Sequence, residues 1–209
     1  MLYGLKTKRK QFYPAFKRLL DVLLSIIGLI LFSPLFAVIA FTIYLTSRGP
    51  IFYMQERVGK NWQLFWIIKF RTMILDAEKV GPEISTHDDP RITNVGKVLR
   101  KFKLDEIPQL INVLKGDMSL IGPRPEVLKY ASFYSNDYSA ILKIKPGISD
   151  YASIRFKDEA SLIPAVCDCE SFYIREIMPQ KINLYKQYLK EVSFSTDMKI
   201  LFTTLKALL

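Results

Sequence analysis

The sequence predicts an α+β protein, mainly helical, in which an N-terminal membrane element precedes a small globular domain. Three observations carry that class. Residues 22–47 contain no charge. Two aromatic and β-branched runs, 52–57 and 64–70, flank the turn-like Gly59-Lys60-Asn61, as a β-hairpin requires. Most of the remainder shows apolar residues at helical spacing, punctuated by Gly and Pro. The membrane element takes 1–47 and the globular part 48–209, with the boundary at the turn-like Ser47-Arg48-Gly49-Pro50.

A helix over the uncharged stretch would rise ~1.5 Å per residue and cross the ~30 Å hydrocarbon layer. The run is too long for a signal peptide, and no small-residue cleavage site follows it. Both flanks are basic. Lys6, Lys8, Arg9, Lys10, Lys17 and Arg18 precede it, and Arg48, Arg57, Lys60, Lys69 and Arg71 follow. Positive flanks favour the cytoplasmic side, and a single span must place one of them outside. Ser33-Pro34 sits inside the run, where proline removes a backbone donor and kinks a helix. The freed carbonyls need new partners in lipid, and the Ser33 hydroxyl is placed to help. A re-entrant helix broken at Ser33-Pro34 satisfies both observations better than a kinked span. Asp21 is expected at the interface, among the basic residues.

After the hairpin, 74–80 begins a short helix, and 81–90 is a polar loop carrying the lone histidine, His87, read as solvated. Residues 94–102 form a helix bearing Lys97, Arg100 and Lys101. Residues 105–114 form another, with Leu104, Ile107, Ile111 and Leu114 on one face, Pro108 in the first turn and Gly116 as the stop. Segments 126–134 and 138–144 read as amphipathic interfacial helices. The tail 173–209 is mostly helical, with Pro179 near a helix start.

The net charge is +10 and the pI about 9.5. Such a chain attracts anions: nucleic acid, acidic headgroups or phosphorylated substrates. Zinc-finger spacing, basic zippers and aromatic RNA-binding signatures are absent, so the membrane and phosphate readings stand and no nucleic acid is expected. Half the residues are hydrophobic and the mean hydropathy is +0.14, high for a soluble domain and low for a protein of many spans. Cys167 and Cys169 cannot form a disulfide framework, which fits a reducing compartment. Without a supporting Cys/His cluster, they read as small residues in a loop or helix start.

The densest chemistry lies between Arg100 and Pro125. Asp105 and Glu106 stand at the start of a helix, where free amides and the dipole favour negative charge. Arg100 lies just upstream, and Arg124 occupies a stiff Gly122-Pro123-Arg124-Pro125 turn. Arginine offers a planar fork that grips phosphate oxygens. Paired carboxylates also suit Mg²⁺, which commonly bridges protein and pyrophosphate. Each element has a plain alternative, such as a helix cap or a rigid turn; the weight comes from the ordered set beside a membrane element.

Taken in order, these residues resemble the bacterial monotopic phosphoglycosyl transferases, the bacterial sugar transferase family. The match runs through Lys17-Arg18-x-x-Asp21, Ser33-Pro34, Gly49-Pro50-Ile51-Phe52, Gln55-Glu56-Arg57-Val58-Gly59 and Lys69-Phe70-Arg71-Thr72-Met73. It continues in Asp89-Pro90-Arg91-Ile92-Thr93-x-x-Gly96, Leu99-Arg100-Lys101, Leu104-Asp105-Glu106-x-Pro108-Gln109 and 112–125. The resemblance implies transfer of a sugar-1-phosphate from a UDP-sugar to polyprenyl phosphate, releasing UMP. It implies Asp105 as the nucleophile of a two-step route through an aspartyl-phosphosugar, with Glu106 helping to hold Mg²⁺. It also implies a monotopic protein on the cytoplasmic face of the inner membrane, and leaves a homodimer open. Lys69, Arg71, Arg100 and Arg124 are then expected on substrate phosphates, and Lys17 and Arg18 on lipid headgroups. One departure stands out. Where the family commonly reads Ile-Thr-Gly-Leu-Ala-Gln, this chain has Ile148-Ser149-Asp150-Tyr151-Ala152-Ser153, followed by Arg155, Asp158 and Glu159. A non-catalytic basic membrane adaptor and a phosphohydrolase are the competing readings.

Overall fold

A computed structural model describes residues 2–81, 84–86, 89–163 and 169–208. His87 and Cys167 lie outside the described residues. Helix α1 (Leu2–Thr46) runs through Ser33-Pro34 without losing helical character, so those residues do not end the helix. The local chemistry explains this. Pro34 cannot donate to the Ile30 carbonyl, and the Ser33 hydroxyl donates to that carbonyl instead, at 2.8 Å.

From Tyr13 to Ser47 the chain of helix α1 makes contacts with the rest of the protein. Arg18 donates to the Val113 and Leu114 carbonyls, and Asp21 accepts from Leu120 N at 3.0 Å. Farther along, Gly28 faces Leu110, and Phe36 packs on Phe70 with ring centroids 4.6 Å apart. Ile39 and Ile43 are buried with Phe70 and Leu99. The opposite face is bare: Ile30 and Leu31 are each 69% exposed, and Leu23, Ile27, Val38, Phe41 and Leu45 are also open. An apolar stripe of that size needs a partner, and Tyr13–Thr46 is long and apolar enough to cross a membrane.

Strands β1 (Phe52–Val58) and β2 (Leu64–Phe70) form the expected antiparallel hairpin, with Phe52 opposite Phe70 and Val58 opposite Leu64. The turn between them is tight, with Asn61 and Trp62 at positive φ. The predicted helix at 74–80 is reduced to one turn, Ala77–Val80. Helix α2 (Asn94–Lys101) follows, its N-terminus capped by Thr93 Oγ1, which accepts from Gly96 N at 3.0 Å. Gly96 rests directly on the Thr72 carbonyl, and a Cβ there would fall well inside contact distance of backbone. Gly96→Ala is therefore expected to cost about 1–3 kcal/mol through overpacking and to shift Arg100, which the same helix carries. A urea denaturation curve beside an activity assay checks both effects.

The helix expected from residue 105 arrives in two pieces. A 3₁₀ turn, Leu104–Glu106, carries both carboxylates, and helix α3 (Gln109–Lys115) begins after Pro108. Because Pro108 has no N–H, the Leu104 carbonyl takes Ile107 N instead, at 3.3 Å, and the tighter turn results. Gly116, at φ 94°, ends α3 in the left-handed conformation that glycine adopts without strain. Asn112 pins α3 to the hairpin, accepting from Ile68 N at 3.0 Å and donating to the Trp66 carbonyl at 2.8 Å.

Strand β3 (Ser119–Ile121) pairs in parallel with β4 (Gly147–Ser149), a contact the sequence reading did not predict. Between them, α4 (Leu128–Phe133) is shorter than the 126–134 helix expected, and α5 (Ser135–Ile141) starts three residues before the expected 138–144. Helix α6 (Tyr151–Arg155) follows β4 directly. The tail holds α7 (Met178–Glu191) and α8 (Phe194–Leu208), with the break at Val192. The main core joins Tyr130, Tyr138, Ile141, Tyr173, Ile182 and Tyr185. A buried polar chain runs through it. Glu126 pairs with Arg57 at 3.1 Å and accepts from the Tyr173 hydroxyl at 2.5 Å; Lys181 donates to Tyr173 at 3.0 Å and pairs with Glu159 at 2.6 Å.

Candidate active site

The two carboxylates stand side by side in the Leu104–Glu106 turn, and their environments differ sharply. Glu106 is saturated: it accepts from both terminal nitrogens of Arg124, one of them at 3.1 Å, and pairs with Lys69 at 3.2 Å. Burial alone would raise its pKa, but Arg124 and Lys69 overcome that and hold the carboxyl well below the ordinary carboxylate range. Burial outweighs pairing at Lys69, whose ammonium is pushed below its ordinary value.

Asp105 is the opposite case. It is 7% exposed, and its Oδ1 is buried without a hydrogen-bond partner. Burial, and then the neighbouring Glu106 charge, push its carboxyl above the usual range, while Lys69, Arg100 and Lys103 pull the other way. The two adjacent carboxylates thus differ in environment, Glu106 held as an anion by its partners and Asp105 left with an unpartnered oxygen.

Lys103 was not among the site residues expected from sequence. It holds φ 55° just before the turn, and its charge acts on both carboxylates. Arg100 comes from α2, one short loop upstream, and its Nε donates to Thr72 Oγ1 at 2.9 Å. Burial lowers its pKa, offset chiefly by the Asp105 charge. Thus Lys69 from β2, Arg100 from α2, Lys103 and Arg124 surround the dyad.

Arg124 is aimed by its backbone. Asp150, fully buried, accepts from Arg124 N at 2.7 Å with one oxygen and from Ser153 N at 2.5 Å with the other, capping α6. Gly122 N donates to the Ser149 carbonyl at 3.0 Å, and Gly147 N to the Pro123 carbonyl at 2.9 Å. The chain's departure from the family pattern therefore sits directly behind the arginine that holds Glu106. An Asp three residues before a Ser at the head of a helix signals a cap; its second role, across 26 residues, carries no local sign.

Arg71, Arg18 and Lys17 take other positions. Arg71 donates to the Ser47 carbonyl at 2.7 Å, closing the end of α1, while its Nε and Nη1 are buried without partners. Arg18 closes the end of α3 in the same manner, and Lys17 pairs with the buried Asp197 of α8, which Tyr13 and Tyr188 also engage. Ser33 and Pro34 lie within α1.

A cavity of about 330 Å³ opens beside the dyad, with Lys103, Glu106 and Arg124 at one end. Among the described residues no group of three or more His, Cys, Asp or Glu side chains gathers as a metal cluster. Mg²⁺ does not need one, since it is commonly held by one or two carboxylates with substrate phosphates. The unpartnered Oδ1 of Asp105 fits that role, whereas Glu106 already has its oxygens engaged.

A carboxylate dyad ringed by cations, on a domain that rides along an apolar helix, is an arrangement suited to phosphate chemistry beside an apolar surface. Residues 12–209 match the model of the bacterial sugar transferase family, and the chain belongs to that family. It is 38% identical over 200 residues to the UDP-N-acetylgalactosamine-undecaprenyl-phosphate N-acetylgalactosaminephosphotransferase of Aeromonas hydrophila, covering 94% of this chain and 44% of that protein. Two proteins called UDP-glucose:undecaprenyl-phosphate glucose-1-phosphate transferase are each 35% identical. The one from Escherichia coli (strain K12) covers 90% of this chain and 39% of its own length; that from Caulobacter vibrioides covers 92% and 69%. The chain thus spans less than half the length of some curated relatives and about two thirds of others.

Proposed function

We propose that this protein transfers a sugar-1-phosphate from a UDP-sugar to polyprenyl phosphate at the cytoplasmic face of the membrane, releasing UMP. The observation that carries the reading is the divided dyad: Glu106 locked by Arg124 and Lys69, and Asp105 buried with an oxygen left unpartnered. The names of the relatives, which carry undecaprenyl phosphate and UDP-sugars, support the substrate classes.

The chemistry follows from the arrangement. An Asp105 oxygen attacks the phosphorus that bears the sugar, and the bond from that phosphorus to the UMP oxygen breaks. The sugar phosphate is then an acyl phosphate on Asp105. An oxygen of the lipid phosphate attacks the same phosphorus, the bond to Asp105 breaks, and the carboxylate is restored. Lys69, Arg100, Lys103 and Arg124 offset the charge that gathers on the phosphoryl oxygens. Glu106 keeps Arg124 oriented. Mg²⁺, held through Asp105 and the donor's phosphates, would supply further neutralisation of the pyrophosphate.

The membrane placement has its own support. The globular part accompanies α1 from Lys17 to Ser47. Were α1 to thread the bilayer upright, that charged domain would have to enter the hydrocarbon with it, at prohibitive cost. Entry into one leaflet, with the bare residues around Ile30 deepest and both basic flanks on one side, avoids this. Cysteines placed at residues 10 and 48 are expected to react with an impermeant maleimide from the same face of sealed vesicles; labelling from opposite faces would indicate a span.

The function itself is tested with purified protein in vesicles containing polyprenyl phosphate and a panel of UDP-sugars. The expected products are UMP and a polyprenyl diphosphate sugar with at least one donor. Anionic-lipid binding without turnover of any donor would support the adaptor instead, and free sugar phosphate formed without lipid would indicate a hydrolase.

A further inference from the structure

We infer that the cavity beside the dyad is the acceptor site, taking the phosphate of polyprenyl phosphate at its Lys103–Arg124 end and the first isoprene units along an apolar wall. The assignment rests on the transfer reaction proposed above and adds a location and a direction of entry.

The cavity is two-sided in chemistry. Its lining includes Lys103 and Glu106, chain neighbours of Asp105, and Arg124, which grips Glu106. Glu106 already answers Arg124 and Lys69, whereas Lys103 has no ion pair among the described residues, so the Lys103–Arg124 end has a cation to spare for a phosphate. Phe32, Ile107, Leu110, Ile148 and Ile154 give it an apolar wall, and Lys157, Glu159 and Lys181 also line it. At about 330 Å³ it lies at the small end of ligand sites, ~300–1,000 Å³, enough for a headgroup and a short stretch of chain.

The origin of the walls fixes the occupant. Phe32 belongs to the middle of α1, beside Ile30 and Leu31, which are among the most exposed apolar residues of the protein. The far side is α8, through Thr204 and Ala207, and its neighbours Phe202 and Leu205 are 67% and 49% exposed. The cavity therefore opens between two helices that present apolar side chains outward. A long isoprenoid already in the bilayer reaches such a mouth sideways, keeping its tail in hydrocarbon and moving only its phosphate toward Asp105. The further lysines on the lining are engaged, Lys181 with Glu159 and Lys157 with the Ala207 carbonyl, and the apolar side chains favour a hydrocarbon chain over a polyanionic nucleotide.

The two steps of the reaction separate acceptor from donor. Ile154→Trp on α6 and Ala207→Trp on α8 each fill the cavity from a different element, and Ile154→Ser weakens the apolar wall without filling it. Protein in vesicles is given a UDP-sugar accepted by the wild type, first without polyprenyl phosphate and then with increasing amounts. The expected result is an unchanged initial release of one equivalent of UMP per protein, with the KM for polyprenyl phosphate raised at least about tenfold in all three variants. Loss of the initial UMP release with an unchanged lipid KM would assign the cavity to the donor and overturn the inference. Wild-type values for both quantities in the variants would also overturn it. A wild type that turns over yet releases no UMP before lipid is added would count against the covalent step alone, and the lipid KM comparison would still decide the cavity.

Discussion

Asp105→Asn is expected to lower UMP release from every donor by at least about a thousandfold, as loss of a nucleophile does. The variant removes the attacking oxygen but keeps the shape of the side chain, and it should not harm the fold. Burial and Glu106 hold the Asp105 carboxyl above its ordinary value, so its ionised form opposes folding. The sign follows from proton binding. In the window above the unfolded carboxylate value, near ~3.9, the folded protein keeps a proton that the unfolded chain has already lost. Stability from this group is therefore present below that value and falls as pH rises through the raised folded value. Thermal melts across the mildly acidic range should show the wild type losing stability relative to Asp105→Asn as pH increases. A variant that retains activity, or a wild type that gains on the variant with rising pH, would contradict this description of the dyad.

Arg124→Met is the second change with a large expected effect, because it strands Glu106. That carboxylate is only 12% exposed, and Lys69 would be the one ion-pair partner left to it. Removing one partner of a buried pair costs about 3 kcal/mol or more, discounted here because the Arg124 side chain is partly open to solvent. Activity is expected to fall by about a hundredfold or more, the scale seen when one preorganised donor is lost. Arg124→Lys should recover part of the stability and little of the rate, since a point charge cannot reproduce the two-pronged grip on Glu106. The paired change Glu106→Gln with Arg124→Met should restore part of the stability and none of the activity, since Glu106 is no longer a charge without Arg124 although Lys69 loses its own partner. Urea titrations of the four proteins beside UMP release measure both quantities. Equal stability across the set would mean that the ion pair does not organise the site.

Much of this was readable from the chain because it is local. The hairpin follows from alternation around Gly59-Lys60-Asn61, and the dyad and its flanking arginines follow from a run of 25 residues. The Ser33 hydroxyl does what the sequence suggests, taking over the Ile30 carbonyl that Pro34 abandons, although the consequence is a helix that continues rather than breaks. The parts that escaped are long-range. Nothing near Ser119 announces a parallel partner at Gly147, and nothing near Asp150 shows that it will hold Arg124 N. Arg18 reads in sequence as a headgroup contact and Arg71 as a phosphate ligand, and nothing local announces their backbone partners. Only the fold reveals that each closes the carboxyl end of a helix. Lys103 was missed because a backbone at positive φ, which sets it beside both carboxylates, is decided by the turn on either side of it.

The most direct test of the account is the intact mass of the protein after rapid quenching with UDP-N-acetylgalactosamine or UDP-glucose in the absence of any lipid acceptor. The account predicts a single added sugar phosphate, mapped by peptide sequencing to Asp105 and discharged when polyprenyl phosphate is supplied. Protein that stays unmodified while UMP forms only once the lipid is present would show direct transfer between the substrates, and the central role given to Asp105 would fall.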